Sequence, residues 1–170
     1  MEALRFQVCE TDLGWVAFTM TEKGLRSITL PRPTRESALG DVLESDAAPA
    51  SDSDAKPIAR TIQAIVAGRP VQDDLAIDWS GITPFRRGVL EACASIPAGE
   101  TRTYRWLAEQ VGKPAAARAA GRVMATNPWP LLIPCHRVVG SSGHLHGYGG
   151  GLDMKAKLLN RKGGRGQNEY

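Results

Sequence analysis

Apolar and polar positions alternate over residues 4–30 in three short runs, LRFQVCET, GWVAFTMT and LRSITLP. Breakers separate them at Asp12–Gly14 and Glu22–Gly24. A period of two bounded by turn residues predicts three strands in a meander. The next stretch, RPTRESALGDVLESDAAPASDSDAKP, is rich in Ser, Asp, Ala and Pro. Its middle, near residues 40–56, reads as a mobile, solvated loop. In KPIARTIQAIVAGRP, Ile58, Ile62 and Ile65/Val66 recur at helical spacing and Gly68 closes the run, which predicts a helix. LAIDWSG reads as a short strand.

The period changes after Thr83. Thr83 can cap a helix and Pro84 suits its first turn. Phe85, Val89 and Cys93 then share one face, which makes Cys93 a core residue. IPAGET breaks this helix. TYRWLAEQVG is a second, short helix with Leu107 and Val111 inward and Gly112 as its stop. KPAAARAAGRVMATNP follows at once and predicts a third, from the turn at Pro114 to about Met124. Two short helices joined by a tight Gly-Lys turn make a helix-turn-helix candidate. WPLLIPCHRVVG reads as an apolar extended segment, SSGHLHGYGGG as a glycine-rich loop, and LDMKAKLLNRKG as a final basic helix.

The 170 residues, 42% of them hydrophobic, suffice for one domain or two small lobes. No apolar run is long enough to cross a bilayer and the N-terminus lacks the pattern of a signal peptide, so a cytoplasmic location is expected. Cys9, Cys93 and Cys135 are odd in number and far apart, as free thiols of a reducing compartment would be. They have no zinc-ligand spacing, and His144 and His146 in a glycine-rich turn are a weak metal signal. The net charge is +3, but its distribution is uneven: residues 1–83 sum to −5 and residues 84–170 to +8. A basic C-terminal half suits a polyanion, although uneven charge is common in small proteins.

Two features carry candidate chemistry. In AAARAAG (Ala115–Gly121), Arg118 stands alone among residues with almost no side chain. Alanine is the best helix former, which explains the run without any function. A small-residue surface also lets a helix approach a groove closely and lets one long cation enter a base stack. Arg102, Arg105, Lys113 and Arg122 lie near enough in sequence to contact phosphates, which position a protein on DNA without reading its sequence. The second feature is Cys135, either a small core hydrophobe or a nucleophile. A nucleophilic thiolate needs a cation, an imidazole or a helix N-terminus nearby, and His136 and Arg137 follow directly. On a strand, neighbouring side chains point to opposite faces, so His136 serves Cys135 only if the backbone turns there or a water relays the proton.

IPCHRVVGSSGHLHGYGGG closely resembles the active-site signature of the O6-alkylguanine-DNA alkyltransferases. The resemblance runs back through NPWPLLIPCHR, AARAAGRVM and GETRTYRWLAEQVG and forward through GYGGGLDMKAKLL, covering residues 84–163 densely and the N-terminal strands loosely. It implies an α+β fold: a small N-terminal β-meander and helix lobe over residues 1–80, and a C-terminal helical lobe over 81–170 with a winged helix-turn-helix. It implies that Cys135 accepts the alkyl group from O6 of guanine in flipped-out DNA as a thioether, once, with His136 taking the thiol proton through a water. By the same resemblance Arg118 is the finger that fills the gap in the stack, and Ala116, Ala117, Arg102, Arg105 and Arg122 belong to the DNA surface. Tyr104 crowds the phosphate beside the flipped nucleotide, and Asn127 is the hinge. Met124, Val138, Tyr148, Gly149 and Gly150 wall the pocket. The recognition helix would enter the minor groove. The expected partner is double-stranded DNA containing O6-alkylguanine, bound by a monomer with no cofactor, metal or membrane.

One departure stands out. Where the family usually ends its last helix with His-Glu-Gly, this chain has Arg161 and Lys162 in LLNRKGG. A lysine in place of the glutamate disfavours protonation of His136, or favours the Cys135 thiolate by its charge, or points to solvent while Glu169 or Asp153 substitutes. The departure keeps open a lesion-binding protein of the same fold that flips alkylguanine without transferring it, although such relatives usually replace the cysteine by tryptophan. A cysteine hydrolase or redox thiol unrelated to DNA leaves the alanine-arginine helix unexplained.

Overall fold

The computed structural model describes residues 3–42, 46–71, 75–97 and 99–140. The chain forms two compact units that divide between Ser80 and Gly81.

In the first unit, strands β1 (Arg5–Thr11), β2 (Gly14–Thr21) and β3 (Gly24–Ile28) form the meander the alternation predicts. The sheet order is β3-β2-β1-β4, with β1 and β2 antiparallel from Arg5 opposite Met20 to Thr11 opposite Gly14. Both hairpins end on glycines that no other residue could replace cheaply. Gly14 (φ +131°) and Gly24 (φ +139°) lie in the left-handed half of the backbone map, and a Cβ on either would sit 2.5 Å from the Arg32 carbonyl oxygen or 2.4 Å from that of Ala76.

The stretch read as a solvated loop is instead largely built. Helix α1 (Arg35–Val42) starts at Thr34, whose hydroxyl accepts from the Ser37 amide at 3.1 Å, and it packs on β2. Strand β4 (Ala48–Pro49) pairs in parallel with β1. Helix α2 (Asp52–Ala67) begins inside the acidic serine run, because Ser51 caps it by accepting from the Asp54 amide and Asp52 and Asp54 suit the helix N-terminus. It packs on β1 through the face that carries Ile58, Ile62, Ile65 and Val66, and it ends at Gly68 (φ 73°). LAIDWSG forms a single parallel bridge, Ile77 to Leu25, in place of the expected strand. What fixes it is Asp78, whose carboxylate accepts from the Thr21 hydroxyl at 2.7 Å and the Ser80 amide at 3.0 Å.

The second unit holds the helices. Helix α3 (Pro84–Ala94) is capped by Thr83 and buries Val89, Leu90 and Cys93, while Phe85 is only half-buried. Strand β5 (Arg102–Thr103) leads into helix α4 (Tyr104–Gln110), where the Thr103 hydroxyl accepts from the Trp106 amide. Gly112 (φ 73°) turns the chain, and helix α5 (Ala117–Ala125) packs against α4 as a helix-turn-helix, with α3 against both. Helix α5 begins three residues later than the sequence predicts. Pro114 has no N–H to give, and the Ala116 amide closes a turn onto the Lys113 carbonyl, so helical bonding starts only with Ala120 to Ala116.

The segment read as extended is folded into turns. Ile133 donates to the Trp129 carbonyl at 2.7 Å, and one turn of 3-10 helix follows at Cys135–Arg137. Pro134 excludes a continuous strand, and an apolar run bounded by prolines can bury itself as well by turning as by extending. Strand β6 (Val138–Val139) then pairs in parallel with β5. Among the described residues no helix is long and apolar enough to cross a membrane.

Candidate active site

The 3-10 turn decides what Cys135 can do. The Arg137 amide donates to the Pro134 carbonyl at 2.9 Å and closes the turn over Cys135 and His136. With three residues per turn, successive side chains diverge by about 120° rather than pointing to opposite faces as on a strand. Cys135 and His136 therefore need no strand geometry to cooperate. Both are buried, Cys135 at 4% exposure and His136 at 0%. The Cys135 thiol points to the Pro130 carbonyl, with Sγ to O at 3.8 Å.

Tyr104, the first residue of α4, is brought to this thiol. Burial raises the Tyr104 hydroxyl, and the charges of Cys135 and Cys93 push it the same way. The phenol therefore stays protonated beside the sulfurs as a neutral hydrogen-bond donor. Arg137 faces elsewhere. Its guanidinium is buried and donates from Nη1 to the Ile96 carbonyl at 2.7 Å, which pins the turn to the chain just after α3. Burial lowers its pKa, and the charge that works against this is that of Cys93. Adjacency in sequence to Cys135 gave no sign of that tether.

The approach to the cysteine is laced by Asn127. Its Oδ1 accepts from the Trp129 amide at 2.9 Å and its Nδ2 donates to the Ile133 carbonyl at 3.1 Å. That carbonyl also receives the Cys135 amide at 2.8 Å. Met124 and Val138, expected in the pocket wall, are both buried.

The expected DNA surface divides. Arg118 and Arg122 are exposed on α5 and make no ion pair among the described residues, and Ala116 and Ala117 leave its N-terminal end bare. Arg102 and Arg105 are engaged. Arg102 meets Glu100 at 2.9 Å and lies 5.5 Å over the Trp106 ring, and Arg105 meets Glu109 at 3.5 Å. Lys113 lies 5.7 Å over the Phe85 ring. Tyr148, Gly149, Gly150, Arg161 and Lys162 fall outside the described residues, as do His144, His146, Asp153 and Glu169.

A family model described as the DNA-binding domain of 6-O-methylguanine DNA methyltransferase matches residues 84–164. A methylated-DNA–protein-cysteine methyltransferase from Mycolicibacterium paratuberculosis is 50% identical over 96 residues, a stretch covering 56% of this chain and 58% of that relative, little more than half its length. One from Methanosarcina barkeri is 36% identical over 155 residues, covering 91% of this chain and 94% of the relative. The chain belongs to the methylated-DNA–protein-cysteine methyltransferase family. The structure of Mycobacterium tuberculosis OGT in complex with DNA superposes with a TM-score of 0.77 at 30% identity, over 97% of this chain and 98% of that one. Within this family the α+β architecture, a small sheet with its helices followed by a helical unit, is the expected one.

Proposed function

We propose that the protein repairs DNA by taking an alkyl group from O6 of guanine onto Cys135 in one irreversible turnover. The observation that carries this reading is the placement of the thiol: buried at the head of a 3-10 turn, with His136 next to it and Tyr104 within electrostatic reach. Burial silences a thiol unless neighbouring groups favour the thiolate, and an imidazole that can take its proton does so. The sulfur then attacks the alkyl carbon. A C–S bond forms as the C–O6 bond breaks, and the electron pair returns to the guanine, which takes up the proton released from the thiol. No second equivalent follows, because the thioether has no route back to the thiol.

A buried thiol cannot reach a base inside a duplex, so the damaged nucleotide is flipped out. Arg118 on α5 fills the stack, and Arg122 with the bare N-terminal end of the helix meets the backbone. Tyr104, within electrostatic reach of the thiol, donates a hydrogen bond to the flipped base. Met124 and Val138 supply apolar wall, and Asn127 holds the loop that carries the nucleophile. The partner is double-stranded DNA that contains O6-alkylguanine. The names of the relatives and the DNA-bound state of the mycobacterial structure favour this reading and lend none to a lesion binder that does not transfer. The reduced cysteines at positions 9, 93 and 135, none of them in a disulfide, suit a reducing cytoplasm.

The test is stoichiometric. Titration with a duplex carrying one labelled O6-methylguanine should move one methyl per chain to protein and then stop. Turnover beyond one equivalent, or tight binding with no label on the protein, contradicts the proposal.

A further inference from the structure

Arg86 lies in the first turn of α3, where the positive end of the helix dipole makes a cation locally unfavourable. The structure shows what holds it there. Its Nη2 donates to the carbonyl of Thr126 at 3.1 Å and reaches the Thr126 hydroxyl at 3.3 Å. That hydroxyl donates in turn to the Arg122 carbonyl at 2.9 Å, so it is free to accept from Arg86. Thr126 caps the C-terminus of α5. A guanidinium is well placed there, on carbonyls that lack helical partners and at the negative end of the dipole. The next residue is Asn127, which donates to the Ile133 carbonyl, and that carbonyl receives the Cys135 amide. A continuous run of hydrogen bonds and peptide units thus leads from α3, across the end of α5, to the candidate nucleophile.

We infer that Arg86 is a positioning residue for the transfer. It clamps the end of α5 to α3, so that a flipped base presented by α5 meets Cys135 in reacting geometry. The inference rests on the reading of Cys135 as an alkyl acceptor and adds to it a residue that touches neither base nor sulfur. A small error in the placement of reacting groups costs one to two orders of magnitude in rate.

Single-turnover kinetics on a duplex containing O6-methylguanine separate this role from a phosphate contact. Arg86→Ala should lower the transfer rate at saturating DNA by about tenfold while Kd keeps its dependence on salt. The reaction with free O6-benzylguanine, which is not tied to the α5 surface by a duplex, should fall much less. Arg86→Lys should recover part of the loss. Thr126→Val, which keeps the Arg86 charge and removes one of its acceptors, should show a smaller loss in the same parameter. A saturating rate equal to wild type overturns the inference. So does a weakened Kd whose salt slope drops by about one, since that marks a lost phosphate contact. Amide hydrogen exchange over residues 126–135 tests the clamp even if wild type accepts no methyl group. Faster exchange there in Arg86→Ala supports it, and unchanged exchange overturns it.

Discussion

Cys9 and Cys135 are both buried thiols, 8% and 4% exposed, in different surroundings. Cys9 lies within β1 opposite Val16, and burial alone pushes its thiol up to about 11. At neutral pH it is a small hydrophobe. Cys135 heads a tight turn, is followed by a buried imidazole and lies within electrostatic reach of the Tyr104 hydroxyl. On the proposed reading, the same atom is inert in one unit and reactive in the other. The difference lies in the backbone that presents it and the groups that attend it, not in burial.

The other buried polar groups divide the same way. In the first unit they hold structure: Asp78 and Thr21 pair across the bridge to β3, and the Thr29 hydroxyl accepts from the Ala17 amide at 3.1 Å. Among the described residues of the second they are His136 and Arg137, directly after Cys135, and Arg137 anchors the turn to the Ile96 carbonyl. Substitutions in the first set should therefore change stability, and those in the second should change transfer.

The sharpest break of this contrast is to exchange the two thiols' fates. Cys135→Ala should abolish alkyl uptake. Cys9→Ala should leave the single-turnover rate within about twofold and cost about 1 kcal/mol in urea unfolding. A large loss of transfer in Cys9→Ala contradicts the assignment. Next in size, Arg118→Ala should slow repair of duplex DNA by on the order of tenfold or more and reaction with free benzylguanine far less, because only the duplex requires flipping. Equal losses on the two substrates would remove Arg118 from the finger role. Lys162→Glu should raise the transfer rate several-fold by restoring a carboxylate for His136. A rate that is unchanged or lower takes Lys162 out of the relay.

The smallest effect on transfer is expected from Asp78. Burial would raise its carboxyl, but hydrogen bonds from Ser80 and Thr21 and the Arg26 charge outweigh that and bring it down to about 2 from 3.8. A depressed folded pKa stabilises above the unfolded value and stops doing so as pH falls through the folded one. The contribution, on the order of 2 kcal/mol, is thus complete above about pH 5 and lost progressively down to about pH 1. Asp78→Asn should be less stable than wild type at pH 7, with the gap shrinking as pH falls from about 5 through about 2, and transfer normally. A stability gap independent of pH would show that the carboxylate charge is not what Thr21 and Ser80 hold.

Much of the fold was legible because local rules and packing agree. Alternation marked β1 to β3, helical spacing marked α2, and Thr83-Pro84 marked the start of α3. The loop near residues 40–56 was misread because α1 has almost no apolar stripe, burying only Ala38, and because β4 exists only through its partner β1. Adjacency paired Cys135 with His136, and the family resemblance alone added Tyr104 and Asn127; neither showed the 3-10 turn that relates the first two. Nor could it show that Arg102 and Arg105 spend their charge on Glu100 and Glu109. Arg86 carried no signal at all, since its partner, Thr126, lies forty residues along the chain.

The most direct test is peptide mass spectrometry after mixing the protein with a duplex oligonucleotide bearing one O6-methylguanine. The account predicts a gain of one methylene on the peptide containing Cys135, unmodified peptides for Cys9 and Cys93, and restored guanine in the DNA. A methyl group on either of the other cysteines, or none on the protein while the duplex stays bound, would contradict it.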